Sequence, residues 1–368
     1  MKPWIALALG SFLLAVPSSV PALEVHRTDI LAPLPNSWDT FDRIQEMLAN
    51  AYYAGLGPYQ QHVWPIGGTA SPDFPLSDTY GPRLKTSEGG RYDWHRGIDI
   101  PAAENTPVLA IADGTVRIAG AYSSYSDSLV QLRHAKPDGS GDYYSNYMHL
   151  NSWCVTTNDA VTQGQVIGYS GSSTSDFEHL HFEIRDNGLY QRNCVHPLTA
   201  MPYADLTAPA VAIDDVDWTD PSNPVVQVTV DVSVDELDLG AVEVCTYRRT
   251  LLANHLYSYQ EIDAQRFDIM YRNYSCTPTN DPDAYLDAAD YGSVLVEPAE
   301  YSSTAGAWQI TLTFTGLRGA GAASEQGVRV YAEDVNGNTD TDSENMLIYG
   351  VLTNRVATGI STGALLRE

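Results

Sequence analysis

His179-Leu180-His181-Phe182-Glu183-Ile184-Arg185 alternates between two chemistries. Leu180, Phe182 and Ile184 form an apolar row, and His179, His181 and Glu183 form a polar one. A period of two marks a β-strand with one face on a core. The two imidazoles then share the other face, with Cβ atoms ~7 Å apart. They are either two solvated positions on an ordinary strand or part of a site. Glu183 is either a partner that orients the histidines or a surface charge.

Two further clusters lie upstream: His95-Arg96-Gly97-Ile98-Asp99 and Tyr147-Met148-His149-Leu150. The three clusters hold four of the nine histidines, each in or beside an apolar, strand-like run. Imidazoles with one carboxylate make a borderline-soft ligand set that suits zinc. Histidines left over beside such an ion can move protons at neutral pH. Gly97, Ile98, Ile100 and Pro101 argue against a helix through the first cluster. In a straight strand His95 and Asp99 would stand ~13 Å apart, too far to share an ion. If they share one, the chain bends between them, and Gly97 permits the bend.

Short strands and turns fill Val63 to Tyr203. Candidates are Ser128 to Arg133, Tyr143 to His149, Gln165 to Tyr169 and His179 to Ile184. Pro107 to Ala112, Asp113-Gly114 and Thr115 to Ile118 read as a β-hairpin. Asp205 to Pro209 reads as a linker. Beyond it Val226, Val228, Val230, Val232 and Val234 alternate with polar residues, and Trp308, Ile310, Leu312 and Phe314 repeat the pattern. Val328, Val330 and Ala332 give a third such run, so this half is expected to be a β-sandwich. Phe41, Ile44, Met47, Leu48, Ala51 and Tyr52 follow helical spacing and predict one amphipathic helix near the N-terminus.

The expected organisation is mostly β: an antiparallel β-sheet domain over 61–203, then a β-sandwich over 204–355. Residues 1–22 read as a secretory signal, 23–60 as a helical segment or pro-segment, and 356–368 as a tail. Export makes disulfides plausible, and pairing within each half gives Cys154–Cys194 and Cys245–Cys276. A formal charge of −26 disfavours nucleic acid and anionic membrane as partners. No segment after the signal is long and apolar enough for stable membrane insertion. The expected location is periplasmic, cell-envelope or extracellular.

From Trp64-Pro65-Ile66 to Ile184-Arg185 the chain resembles the lysostaphin-type, LytM-like zinc endopeptidases of bacterial cell walls. The resemblance runs through Tyr80-Gly81-Pro82-Arg83, the His95 to Ala102 run, Ala112-Asp113-Gly114-Thr115-Val116, Tyr147-Met148-His149-Leu150 and His179 to Ile184, in order and spacing. It implies that His95, Asp99 and His181 hold one Zn2+. It implies that His149 and His179 are the catalytic histidines, and that the substrate is a peptide bond in peptidoglycan stem peptides or cross-links. Three protein ligands leave a fourth position for water, whose pKa falls toward ~7. Two other functions compete: a non-catalytic wall-binding scaffold or hydrolase activator, and a secreted protease of broader range. The chain departs from the family at Gly171 to Glu178, where a Gly-rich loop is usual, and in the segments Ser123 to Ser128 and Lys136 to Asp142. Thr207-Ala208-Pro209 and Ala332 to Asn338 resemble the ends of a bacterial immunoglobulin-like module.

Overall fold

The computed structural model describes residues 62–348 apart from several internal segments, the longest of them 270–288, together with 365–367. The expected signal, helix and pro-segment all lie outside the described residues, as does Val234.

Among the described residues the first half contributes twelve strands. They are β1 (Gly81–Lys85), β2 (Arg91–His95), β3 (Ile98–Pro101), β4 (Pro107–Leu109), β5 (Gly114–Tyr122) and β6 (Asp127–Ala135). There follow β7 (Asp142–Met148), β8 (Leu150–Trp153), β9 (Ala160–Val161), β10 (Val166–Ser170), β11 (His179–Asp186) and β12 (Cys194–Val195). All pair antiparallel. The main sheet runs β12-β11-β7-β6-β5-β9, with β3 also on β11. A smaller sheet runs β4-β10-β8, and β1 and β2 form a hairpin.

The strand β11 is central. Leu180, Phe182 and Ile184 are fully buried on its apolar side against Ile98, Ile100 and Tyr147. Each such side chain contributes roughly 1.5–3 kcal/mol by leaving water. The opposite row is buried too: His179 is 3%, His181 9% and Glu183 2% exposed. The histidine row is therefore not a solvated face, and Glu183 is not a surface charge.

Two sequence expectations are corrected here. Pro107 to Ile118 is not a hairpin: β4 pairs with β10, and β5 pairs with β6 and β9. The Asp113-Gly114 turn passes the chain between sheets. It is held from elsewhere, with Gln163 donating its backbone N–H to Asp113 Oδ1 and His134 Nδ1 donating to the Asp113 carbonyl. The Cys154–Cys194 disulfide does not form. Cys154 is an exposed free thiol beyond β8 that donates to the Val166 carbonyl in the smaller sheet. Cys194 is buried on β12 at the edge of the main sheet, with no bridge to Cys154. Cys245 is also a buried free thiol, and Cys276 lies outside the described residues.

The second half forms two five-stranded antiparallel sheets. One contains β13 (Ala210–Asp217), β14 (Val225–Ser233), β17 (Ala289–Asp290), β18 (Val294–Pro298) and β19 (Ala307–Phe314). The other contains β15 (Leu239–Leu251), β16 (Tyr257–Asp268), β20 (Gln326–Asp334), β21 (Thr339–Ile348) and β22 (Leu365–Arg367). The predicted apolar rows meet in register, with Val226 opposite Phe314, Val228 opposite Leu312 and Val230 opposite Ile310. These six are fully buried, as are Val328, Val330 and Ala332 of the other sheet. Within 356–368, β22 adds a strand beside β21.

Glu333 on β20 is fully buried, with Arg266 Nη1 3.8 Å from its carboxylate. Burial pushes its carboxyl up to about 8; Arg266 opposes the shift, and Asp334, Asp268 and Glu243 add to it. The folded state thus holds a proton that the unfolded chain, near 4.5, has released. The stability this gives is complete below the unfolded value and is lost as pH rises through about 8. Glu333→Gln is expected to match the wild type in urea unfolding at pH 4 and to exceed it by about 1–3 kcal/mol at pH 9.

Candidate metal centre

Register explains why distant residues meet. His181 on β11 stands opposite Asp99 on β3 and opposite Met148 on β7. His149 follows Met148 directly, just past the end of the ladder. It adopts a left-handed backbone, φ 61°, which is uncommon for a residue with a side chain. His95 ends β2, held opposite Gly81 of β1.

The chain does turn between His95 and Asp99, at Arg96-Gly97 between β2 and β3. Gly97 does not reach left-handed φ there. Space is what requires glycine: an added Cβ would lie 2.3 Å from the Phe182 carbonyl oxygen and 3.0 Å from His181 Nε2.

Three donor atoms converge. His95 Nε2 is 2.9 Å from His181 Nδ1, His181 Nδ1 is 2.9 Å from Asp99 Oδ1, and His95 Nε2 is 3.2 Å from Asp99 Oδ1. All three residues are buried. The outer ring nitrogens decide what these atoms are. His95 Nδ1 is 2.6 Å from the Thr79 carbonyl oxygen, an acceptor only, so that nitrogen carries the proton. His181 Nε2 is 3.3 Å from Glu183 Oε1 and donates to it. With both rings neutral, two lone pairs and a carboxylate oxygen face one another at hydrogen-bond distance. Such a set fits a cation: ligands at 2.0–2.2 Å from zinc stand about 3.4 Å apart in a tetrahedron.

The electrostatics agree. The histidine partners hold Asp99 well below the usual carboxylate range against the opposing effect of burial. Burial pulls the His181 imidazole down, yet hydrogen bonds and charge from Asp99 and Glu183 raise it to about 9. Without an ion, then, a proton balances the buried carboxylates. Asp99 is further held by Arg83, whose Nη1 lies 3.5 Å from Oδ2, and Arg83 is paired to Asp78. Glu183 is fixed by Asn146 Nδ2 at 2.6 Å and Arg185 Nε at 2.8 Å. Gln131 Nε2 donates to Asn146 Oδ1 at 2.8 Å, so a polar ladder crosses three strands to reach His181.

The other two predicted histidines border the donor set. The His149 ring centroid is 4.7 Å from that of His179 and 5.7 Å from that of His181. His179 Nε2 lies 3.4 Å from Asp99 Oδ1. The outer nitrogen of His179 is again anchored, Nδ1 being 3.0 Å from the Phe177 carbonyl oxygen. His149 Nδ1 is 2.7 Å from the Ser173 carbonyl oxygen and 2.8 Å from Asp127 Oδ2. All five predicted residues are thus brought together. Sequence reasoning missed Thr79, Asp78, Asn146, Asp127 and Ser173, which hold them. Their side chains carry no local pattern, and two of the contacts are backbone carbonyls that any residue type supplies.

Residues 93–193 match the sequence model of Peptidase family M23, so the chain carries an M23 domain, and all five histidine and aspartate positions fall inside it. The peptidoglycan DD-endopeptidase ShyC of Vibrio cholerae is 32% identical over 165 residues, 44% of this chain and 36% of that protein. The murein hydrolase activator NlpD of Escherichia coli is 32% identical over 145 residues, 39% of this chain and 32% of that protein. The chain thus spans about a third of the length of these curated relatives. The solved catalytic domain of lysostaphin from Staphylococcus simulans is 31% identical, covering 34% of this chain and 90% of that one with a TM-score of 0.30.

Gly97→Ala is expected to lose at least about 2 kcal/mol of stability, because the clash is with backbone. Thermal unfolding and metal content after dialysis check this, and the variant should retain far less zinc than the wild type.

Proposed function

We propose that the chain is an exported zinc metalloendopeptidase that hydrolyses peptide bonds in peptidoglycan stem peptides or cross-links. The observation that carries this is the set of three inward-facing acceptors, His95 Nε2, Asp99 Oδ1 and His181 Nδ1, bordered by two further anchored imidazoles. His95, Asp99 and His181 would hold one zinc ion. When bound, zinc supplies Lewis-acid chemistry, acidifying water at its open position and polarising a carbonyl oxygen.

The chain's own groups do the rest. His149 and His179 each donate through Nδ1 to an outer acceptor, so Nε2 is the atom left to exchange protons. Together they take a proton from the attacking water as the new C–O bond forms. They deliver one to the amide nitrogen as the C–N bond breaks. The Ser173 and Phe177 carbonyls and Asp127 fix both rings from behind.

In this proposal residues 61–203 are the peptidase domain and 204–355 a second module. The two antiparallel sheets that its strands β13 to β21 form support an immunoglobulin-like reading. Among the described residues no helix is long and apolar enough to cross a membrane. The likeness to NlpD supports a second function, that of a hydrolase activator that cuts nothing itself. The complete set of ligands and both flanking histidines favours catalysis over that alternative.

The test is mass spectrometry of purified peptidoglycan after digestion. Released stem-peptide fragments with new amine and carboxyl ends support the proposal. Binding without any cut bond supports the activator instead, and cleavage of unrelated proteins at similar rates supports a broad protease. The mature protein should carry about one zinc per chain. His181→Ala should lose it, while His149→Ala should keep it and cleave at least ~100-fold more slowly. At pH 7 zinc uptake should release about one proton, seen as a buffer-dependent heat in titration calorimetry, because the ion displaces the proton on His181.

A further inference from the structure

Two of the three places where the chain departs from its family meet at one carboxylate. Asp127, at the end of the segment Ser123 to Ser128, places Oδ2 2.8 Å from His149 Nδ1 and 3.2 Å from the His149 backbone N–H. Ser173, in the altered loop before His179, donates its hydroxyl to Asp127 Oδ1 at 2.6 Å and offers its carbonyl oxygen to His149 Nδ1 at 2.7 Å. The Ser128 backbone N–H also donates to Asp127 Oδ1, at 2.6 Å. The Asp127 side chain is 1% exposed, so this carboxylate is not one of the solvated surface acids that dominate the composition.

This geometry does three things at once. It gives the Nδ1 proton two acceptors, which favours the tautomer with an Nε2 lone pair. It ties ring and backbone of one residue to the same oxygen, which holds His149 in its left-handed conformation, φ 61°. Such conformations persist only where the surroundings over-determine them. It also links the altered loop to the start of β6, so the loop's position sets the ring's.

We propose that Asp127 is the positioning residue of His149, orienting its imidazole and fixing its tautomer, with Ser173 as the clamp that holds Asp127 in place. The proposal rests on the assignment of His149 as a proton carrier. Asp127 touches no reacting atom; it acts through His149.

The experiment uses the zinc-loaded full chain and long-range 1H–15N correlation of the histidine rings. In the wild type His149 is expected as the Nδ1–H tautomer. Asp127→Asn is expected to keep its zinc and its melting temperature within a few degrees. It should shift the His149 ring nitrogens toward a tautomer mixture and lower kcat on a muropeptide about 100-fold, with KM within twofold. Asp127→Glu should recover part of the loss, and Ser173→Ala should show the same shift in smaller degree. An Nε2–H tautomer in the wild type overturns the proposal even if the variants fail to fold. So do a wild-type spectrum and kcat in folded Asp127→Asn. A His149→Ala protein that cleaves at the wild-type rate ends the assignment of His149 itself, and the proposal with it.

Discussion

The centre depends on where four imidazole protons are kept. Each ring donates through one nitrogen to an acceptor behind it: the Thr79 carbonyl for His95, Glu183 for His181, the Phe177 carbonyl for His179, and Asp127 with the Ser173 carbonyl for His149. With the proton spent outward, the other nitrogen presents a lone pair inward. Exchange one outer acceptor for a donor and the ring must flip its tautomer, turning a ligand into a competitor for the same space. In the proposed zinc site the outer contacts would therefore be as decisive for metal affinity as the inner ones.

Holding that pattern takes a rigid frame, and β11 supplies it. Its apolar row locks the strand into the core, and its polar row is set by the same pleat. Asp99 faces His181 because β3 pairs with β11 in one register; a slip of one residue would turn Asp99 to the wrong side. Glu183 brings a buried charge to this row, which is costly unless matched. Arg185, Asn146 and His181 match it, and Gln131 extends the network to β6.

Much of this was legible in the sequence because it follows local periodicity. The alternation in His179 to Arg185 places both histidines on one row, and the valine and aromatic rows of the second half meet as their spacing predicts. The bend at Gly97 followed from distance on the condition that His95 and Asp99 share an ion, although its physical cause is the close approach of β11 and not a left-handed backbone. What failed or stayed open was non-local. Asp113-Gly114 carries a good hairpin signal, yet its flanks pair in different sheets, which no turn dipeptide encodes. Cys154 and Cys194 share a domain by sequence distance, but one lies beside the smaller sheet and the other at the edge of the main one. Glu183 could not be told from a surface charge until its neighbours on β7 were known. Asp127 sits among 46 acidic residues, and only the folded chain singles it out.

The second half is not a passenger appended to this site. The β1–β2 hairpin that delivers His95 is covered from that side: the Phe267 ring packs edge-on to Trp94 at 6.2 Å, and Ile269 sits so close to Gly81 that a Cβ there would be 2.9 Å from its Cγ2. Trp94 directly precedes His95 and is 1% exposed. Gly81 stands opposite His95 in the hairpin and has φ 115°. Two strands alone make a weak platform for a buried ligand. The hairpin gains its rigidity from the main sheet beneath, through Tyr80 and its bond to the Cys194 carbonyl, and from the second half above. One of the three donors thus depends on packing that crosses between the two halves, which ties the geometry of the metal centre to the seating of a module with no donor of its own in the set.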